Sequence, residues 1–333
     1  MAEAAAALPA PHRNEPHFTP AMTLHPRSSL HASGFALVAV LWLIAILGMA
    51  TMVALRVISF DMELTTSKVH GARARNIAEM GIAVGCNPVV KRSDPILHLN
   101  DEAAGGGFDV KIVSEGARFN INTLILRDDK ALLRDMFCDW GIELDVAQEI
   151  TDAISDWIDA DDDVALNGAE IDWYEEQGRL NQPFNRPFYH IDEVRLVRGM
   201  DLVEALRPDW RNWFTIWSSG GLDLNEAPAE LIAVAADVSA DVAAVIPSTV
   251  CGADSIRDTE DDVPFTDVNA ALDLLGLDIN SRPDLAQRFT VNDTTTRIES
   301  TGFAGSAKRR ISVIVRNRTG KPALLERFEE IIP

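Results

Sequence analysis

Phe35 to Leu55, FALVAVLWLIAILGMATMVAL, carries no charged residue and constrains the chain more than any other stretch. At about 1.5 Å of rise per residue, its roughly 21 residues make a helix of about 32 Å, enough to cross a hydrocarbon core of about 30 Å. The run predicts a membrane segment. A signal-peptide core is usually about 7 to 15 residues long and is followed by a small-x-small cleavage site. This run is longer and passes directly into Arg56 to Phe60. Cleavage after it is not expected.

The stretch before the run, residues 1–34, is polar and proline-rich, with Arg13, Arg27 and His31, and reads as a disordered leader. It ends in Gly34, and the apolar run begins at once with Phe35. That junction resembles the type IV pilin signal, in which a prepilin peptidase cuts between glycine and a hydrophobic residue and leaves the helix on the mature protein. An ordinary single-span anchor with a disordered leader is the alternative. Charge does not decide the orientation: Arg27 precedes the span closely, whereas Arg56, Lys68, Arg73 and Arg75 follow it. The pilin-like junction implies a C-terminal body outside the cytoplasm, whereas the positive-inside rule taken alone favours the opposite topology.

The chain has 333 residues and a formal net charge of -21. That balance argues against a nucleic-acid partner, because affinity for phosphate backbones comes chiefly from Lys and Arg. Cys86, Cys138 and Cys251 are scattered without CxxC pairing, so zinc is not suggested and at most one internal disulfide is possible, of unassigned pairing.

After the membrane run, Met62, Val69, Ala72, Ile77, Met80, Ala83 and Val84 form an irregular apolar stripe at helical spacing, with no proline before Pro88. One helix of about 50 residues is predicted. Lys91 to Gly107 reads as a loop, then Phe108, Val110 and Ile112 alternate with polar residues, as do Phe119 and Ile121 beyond the EGA turn, which predicts a β-hairpin. Helical runs follow at Leu124 to Trp140, Asp145 to Asp159, Ile191 to Arg198, Ala227 to Ala236, Val242 to Ile246 and Val268 to Leu275. Strand patterns return at Phe289 and Val291, Arg297 to Thr301, and Ile311 to Val315.

These readings give an α+β protein, with a type IV pilin-like long N-terminal helix and antiparallel sheet and a large all-α domain inserted between strands. The segments are a leader at 1–34, a helix at 35–90 with its membrane part at 35–55, and a first part of the sheet at 91–123. An inserted domain of SAM-like, helix-hairpin-helix-like modules at 124–288, a second part of the sheet at 289–319 and an unplaced tail at 320–333 complete the chain.

Asp152, Asp156, Asp159, Asp161, Asp162, Asp163, Glu170 and Asp172 gather between residues 152 and 172 with no Lys or Arg among them. Such a concentration of like charge calls for a cation or full solvation. Asp159, Asp161 and Asp163 are spaced like positions 1, 3 and 5 of an EF-hand loop, and Glu170 falls at position 12. Val164 stands where the loop glycine belongs, so a calcium site of hard oxygen ligands is expected without a true EF-hand. FNINTLI at 119–125 and LDLNEAPAELI at 222–232 look like an internal repeat, in which Asn122-Thr123 and Asn225-Glu226 are candidates to cap helices. A helix-hairpin-helix role on DNA finds no basic residues after the second copy. His70, His98 and His190 show no paired metal-ligand spacing, and no hydrolase or phosphate-loop motif is present. Neither an enzyme nor a small-molecule binder is indicated.

Several stretches together resemble one family, general secretion pathway protein K, the large minor pseudopilin of the type II secretion system. They are GFALVAVLWLIAILGMA at 34–50, FNINTLILRDD at 119–129, SDWIDADDDVALNGAEIDWY at 155–174, NRPFYHIDEVRLVRGM at 185–200, LDLNEAPAELIAVAA at 222–236 and PFTDVNAALDLLGL at 264–277. The resemblance implies a single-pass inner-membrane protein with a periplasmic body, at the pseudopilus tip with minor pseudopilins I and J. It also implies contact with prepilin peptidase and the inner-membrane assembly platform. It implies structural Ca2+ held by Asp159, Asp161, Asp163 and Glu170, with Asp156 and Asn185 as lesser candidates. Most pilins carry glutamate at the fifth mature position; here it is Ala39, as befits a subunit with nothing above it. A type IV pilus minor pilin and a membrane-anchored metal-dependent hydrolase are the alternatives.

Overall fold

The computed structural model describes residues 32–101 and 105–332. The proposed leader therefore lies outside the described residues over positions 1–31. Helix α1 runs from Ala32 to Gly85 and bears out the single long helix. The chain divides after Glu63 into two units. In the first, the apolar side chains from Phe35 onward are exposed along the helix, Leu41 at 58% and Ile46 at 61% among them. α1 is long and apolar enough to cross a membrane.

In the second unit, Gly71, Ala74, Ala78, Gly81 and Gly85 put small residues on the face of α1 that meets a sheet. A Cβ at Gly302 would strike the backbone of Ala74 and Ala78, and one at Gly81 would strike Ser300. Helix and sheet thus approach more closely than larger residues would allow. Ala78, Ile82, Phe108, Val110, Ile298, Ile311 and Val313 form the core between them.

The sheet begins with β1 (His98–Asp101) and β2 (Gly106–Ser114). The chain then leaves it for a helical body that contains two pairs of short parallel strands. β3 (Phe119–Asn120) pairs with β4 (Phe214–Thr215), and β5 (Leu222–Asp223) with β6 (Phe289–Thr290). It returns as β7 (Thr295–Ala304), β8 (Ala307–Arg316) and β9 (Ala323–Ile332), giving an antiparallel sheet in the order β1-β2-β7-β8-β9. The helical body is inserted between β2 and β7.

Two strand expectations are corrected, and the unplaced tail finds its position. Phe119 does not form a hairpin with β2; it pairs with Phe214, because the turn at Glu115–Ala117 carries the chain out of the sheet. Phe289 likewise pairs with Leu222 inside the helical body, so the sheet resumes at Thr295 rather than at 289. The tail is an edge strand. Both faces of β9 carry polar contacts. Arg327 and Glu329 reach Glu79 and Arg75 of α1, while Glu326 accepts the Trp217 indole N–H at 2.7 Å.

The helices of the inserted body are α2 (Ile121–Leu126), α3 (Lys130–Asp139), α4 (Leu144–Ile158), α5 (Ile171–Glu176), α6 (Met200–Leu206), α7 (Ala229–Ala236), α8 (Ala240–Ala243), α9 (Val245–Val250), α10 (Val268–Leu274) and α11 (Leu285–Arg288). The single run expected from Leu124 to Trp140 is two helices, broken where Asp128 takes φ 60°. Ile191–Leu196 is a 3-10 turn rather than a full helix. Ala147, Ile150, Ile154 and Trp157 put the apolar stripe of α4 into the core, where Trp157 meets Tyr174 and Phe188.

The repeat is real, but the two asparagines expected to cap helices, Asn122 and Asn225, do not. The cap of α2 is Asn120, whose side chain accepts the Thr123 N–H. Asn122 instead clasps the backbone of Phe188, donating to its carbonyl at 3.0 Å and accepting its N–H at 2.8 Å. Asn225 does the same to Phe265, at 2.9 and 2.8 Å. Each copy ties an extended segment to a distant Pro-Phe turn, satisfying two backbone groups at once.

Where the chain leaves the sheet, Glu115 is fully buried. Arg297 of β7 donates to it at 2.6 Å, Thr215 donates through its hydroxyl, and Arg118 stands 3.5 Å away. This cluster joins the sheet to the inserted body.

Candidate functional site

The acidic stretch starts on the last two turns of α4. Asp152 and Asp156, one turn apart, are buried beneath the segment that follows. Asp156 accepts the N–H groups of Ala165 at 3.2 Å and Ala169 at 2.9 Å, and Asp152 accepts from Asn167 at 3.2 Å and Gln148 at 3.0 Å. Gly168 leaves room for the Asp156 carboxylate, which a Cβ there would strike. Burial raises the Asp156 pKa despite those two N–H donors. Its oxygens hold the turn together.

Beyond the helix end, Asp159 and Glu170 lie among like charges. Glu170, which precedes α5, is 6% exposed, and neither of its carboxylate oxygens has a hydrogen-bond partner among the described residues. Burial, followed by the charges of Asp156 and Asp159, pushes its pKa up to about 7. Asp159 has one buried oxygen without a partner, and burial followed by Asp156 and Asp161 raises its pKa to about 6. Asn185 also has an unpartnered buried Oδ1, while its Nδ2 donates to the Asp161 carbonyl and to the Asp162 carboxylate, both at 2.9 Å. Asp161 and Asp163 are exposed, and the Asp163 N–H donates to the Asp161 carboxylate at 3.1 Å.

The structure therefore brings Asp159, Glu170 and Asn185 inward and leaves Asp161 and Asp163 on the open side of the loop. Among the described residues, no three His, Cys, Asp or Glu groups are drawn close enough to form a ready metal cage. What the loop offers is a set of buried oxygen atoms lacking donors, and an unsatisfied buried acceptor is costly. Such a donor set fits a hard cation that prefers oxygen, as calcium does. Asp162 and Asp152 belong to the acidic run but not to the expected ligand set, yet they hold Asn185 and Asn167 in place. The unbroken Asp161–Asp163 run was the signal for the first, and the four-residue spacing from Asp156 was the signal for the second.

Other expected positions are separate from this loop. Gly34 and Phe35 fall near the start of α1, with Phe35 78% exposed, and Ala39 is exposed on the same helix. His98 contacts Asp109, and His190 lies 3.3 Å from Glu326. Cys86, Cys138 and Cys251 are free thiols.

Residues 117–209 match the family model described as type II secretion system protein K. That match falls within the inserted body and contains the acidic loop. Curated relatives named type II secretion system protein K include one from Pseudomonas aeruginosa, 27% identical over 121 residues, covering 32% of this chain and 36% of the relative. One from Pectobacterium carotovorum is 36% identical over 95 residues, covering 28% and 29%, and one from Klebsiella pneumoniae is 32% identical over 108 residues, covering 29% and 33%. The chain thus spans about a third of the length of the curated relatives it matches. A chain in the crystal structure of the GspK-GspI-GspJ complex from the enterotoxigenic Escherichia coli type 2 secretion system superimposes with a TM-score of 0.59 at 16% identity. The superposition covers 82% of this chain and 98% of that one, and it shows a shared fold.

Proposed function

We propose that this chain, which carries a type II secretion system protein K domain, is the large minor pseudopilin that caps or initiates the pseudopilus together with minor pseudopilins I and J. The observation that carries this reading is the helical body inserted between β2 and β7 of a pilin-like sheet, over the same stretch that matches the protein K model. α1 anchors the chain in the inner membrane, with the second unit in the periplasm. Prepilin peptidase cuts between Gly34 and Phe35, and the assembly platform receives the mature helix. The fifth mature residue is then Ala39, which brings no carboxylate to meet a neighbour's N-terminal amine. A subunit of this kind suits the end of a filament, where its bulky body blocks further addition. Its role is mechanical and organisational rather than enzymatic.

Support for the partners comes from the complex that contains the matching chain, whose description names proteins I and J beside K. The test is co-expression with the cognate proteins I and J, with and without prepilin peptidase. A stable ternary complex whose K subunit starts at Phe35 is expected. A chain that ignores I and J, or is cut beyond Leu55, would overturn the reading.

Calcium completes the acidic loop in this proposal. Asp159, Glu170 and Asn185 supply inward oxygens and Asp161 and Asp163 supply loop carboxylates, while Asp156 supports the turn from beneath. The ion would supply positive charge to the buried Asp159, Glu170 and Asn185 oxygens, which lack hydrogen-bond partners among the described residues. Calcium should raise the melting temperature of chelator-stripped protein; an unchanged melting temperature would remove the ion from the account.

A further inference from the structure

The turn from Val164 to Gly168 shows more apolar surface than folding requires. Leu166 is 95% exposed and Val164 is 61% exposed. Isolated exposed leucines are ordinary, but this one stands on an unusually fixed base. The N–H groups on either side of it, at Ala165 and Ala169, are held by Asp156. Asn167 donates to Asp152, and the Gly168 carbonyl accepts from Arg198 at 3.1 Å. Arg198 is itself paired with Glu149 at 2.8 Å. Two buried carboxylates and a guanidinium thus hold a five-residue turn that presents the exposed side chains of Val164 and Leu166.

A side chain already fixed on its base loses less freedom on binding than one on a mobile loop. Burying a leucine side chain contributes about 1.5 to 3 kcal/mol. The chain on either side of the turn sets the partner's chemistry. Asp161, Asp162 and Asp163 before it and Asp172, Glu175 and Glu176 after it are exposed. Two nearby arginines are already engaged, Arg186 with Glu193 and Arg179 with the Leu196 carbonyl. One divalent cation in the loop would leave this collar acidic. An anionic bilayer surface is therefore repelled, because such surfaces attract basic rather than acidic segments.

We propose that Val164–Gly168 is a docking peg for a protein partner that offers an apolar socket rimmed by lysine and arginine. The peg stands apart from the pseudopilin reading, since its recognition needs only the turn and its collar.

The test uses the full chain in its own cells with a photocrosslinking residue at position 166 and, as control, at Leu144, which is exposed at the start of α4. A discrete protein adduct at 166 and not at 144 is expected, lost when Glu175→Lys and Glu176→Lys, exposed collar residues outside the cation loop, are combined. Once identified and purified, that protein should bind Leu166→Ser about tenfold more weakly and Leu166→Met nearly as well as wild type. Melting of Leu166→Ser should shift by no more than about 1 °C, because the side chain is not part of the core. Lipid adducts alone, equal capture at both positions, indifference to charge reversal, or a large loss of stability in Leu166→Ser would overturn the peg. Assembly of the wild type with proteins I and J is read separately, so failure of that reading is distinguishable from failure of the peg.

Discussion

Two buried glutamates divide the molecule's electrostatics. Glu115, at the exit from the sheet, is fully buried and is met by Arg297, Thr215 and Arg118. Glu170, at the acidic loop, is nearly as buried, yet both its oxygens lack a hydrogen-bond partner among the described residues. The first site contains its own counter-charges and serves as a joint between sheet and inserted body. The second has its acids and no cation of its own within the loop. The difference teaches that burial of a carboxylate alone does not mark function; burial without a partner does.

The largest effect should come from breaking the self-contained site. Arg297→Ala leaves Glu115 with its strongest donor gone, and removing one member of a buried pair typically costs about 3 to 5 kcal/mol. Urea unfolding should show a loss of that order; a loss below about 1 kcal/mol would mean Arg118 and Thr215 suffice.

Next is the incomplete site. Calcium at about 100 times its dissociation constant should stabilise the protein by about 2.7 kcal/mol over chelated protein, read as a rise in melting temperature. Magnesium at the same concentration should do much less, because it demands a smaller and more rigid octahedral site.

A smaller change sharpens the contrast. Glu170→Gln removes an uncompensated charge, so the chelated variant should melt above chelated wild type while losing most of the calcium increment. A variant that melts lower without calcium would show that Glu170 has a partner in solution.

The smallest effect is in pH. Glu170 and Asp223 have pKa values raised by burial, to about 7 and about 6. In the folded protein they hold protons that the unfolded chain has already released. Their contribution is therefore fully present below about pH 4, the range of unfolded carboxylates, and is lost as pH rises through 6 and 7. Chelated protein should melt higher at pH 5.5 than at pH 8, and Glu170→Gln should flatten that slope.

Much of this architecture is legible in sequence, and the exceptions have physical reasons. The charge-free run at Phe35–Leu55 and the uninterrupted stripe beyond it specify α1 because nothing breaks a helix before Pro88. The insertion shows as a change from alternating to helical periodicity after residue 120. β9 is not legible, because Glu326, Arg327 and Glu329 find ionic or hydrogen-bonded partners on two different faces and erase the alternation. The false hairpin arises because β3 alternates as any strand does, while its partner Phe214 lies far along the chain. At the candidate site, the acidic run and the Asp159-to-Glu170 spacing are visible. Which oxygens turn inward is not, because that depends on Asp156 and Asp152 pinning the turn from below.

The most direct measurement is calorimetric titration of calcium into the chelator-stripped full chain, wild type beside Glu170→Gln. Saturable binding to the wild type, with protons released as Glu170 and Asp159 ionise, and binding much weakened in the variant are predicted. No saturable heat in the wild type, or equal binding in both, would contradict the account.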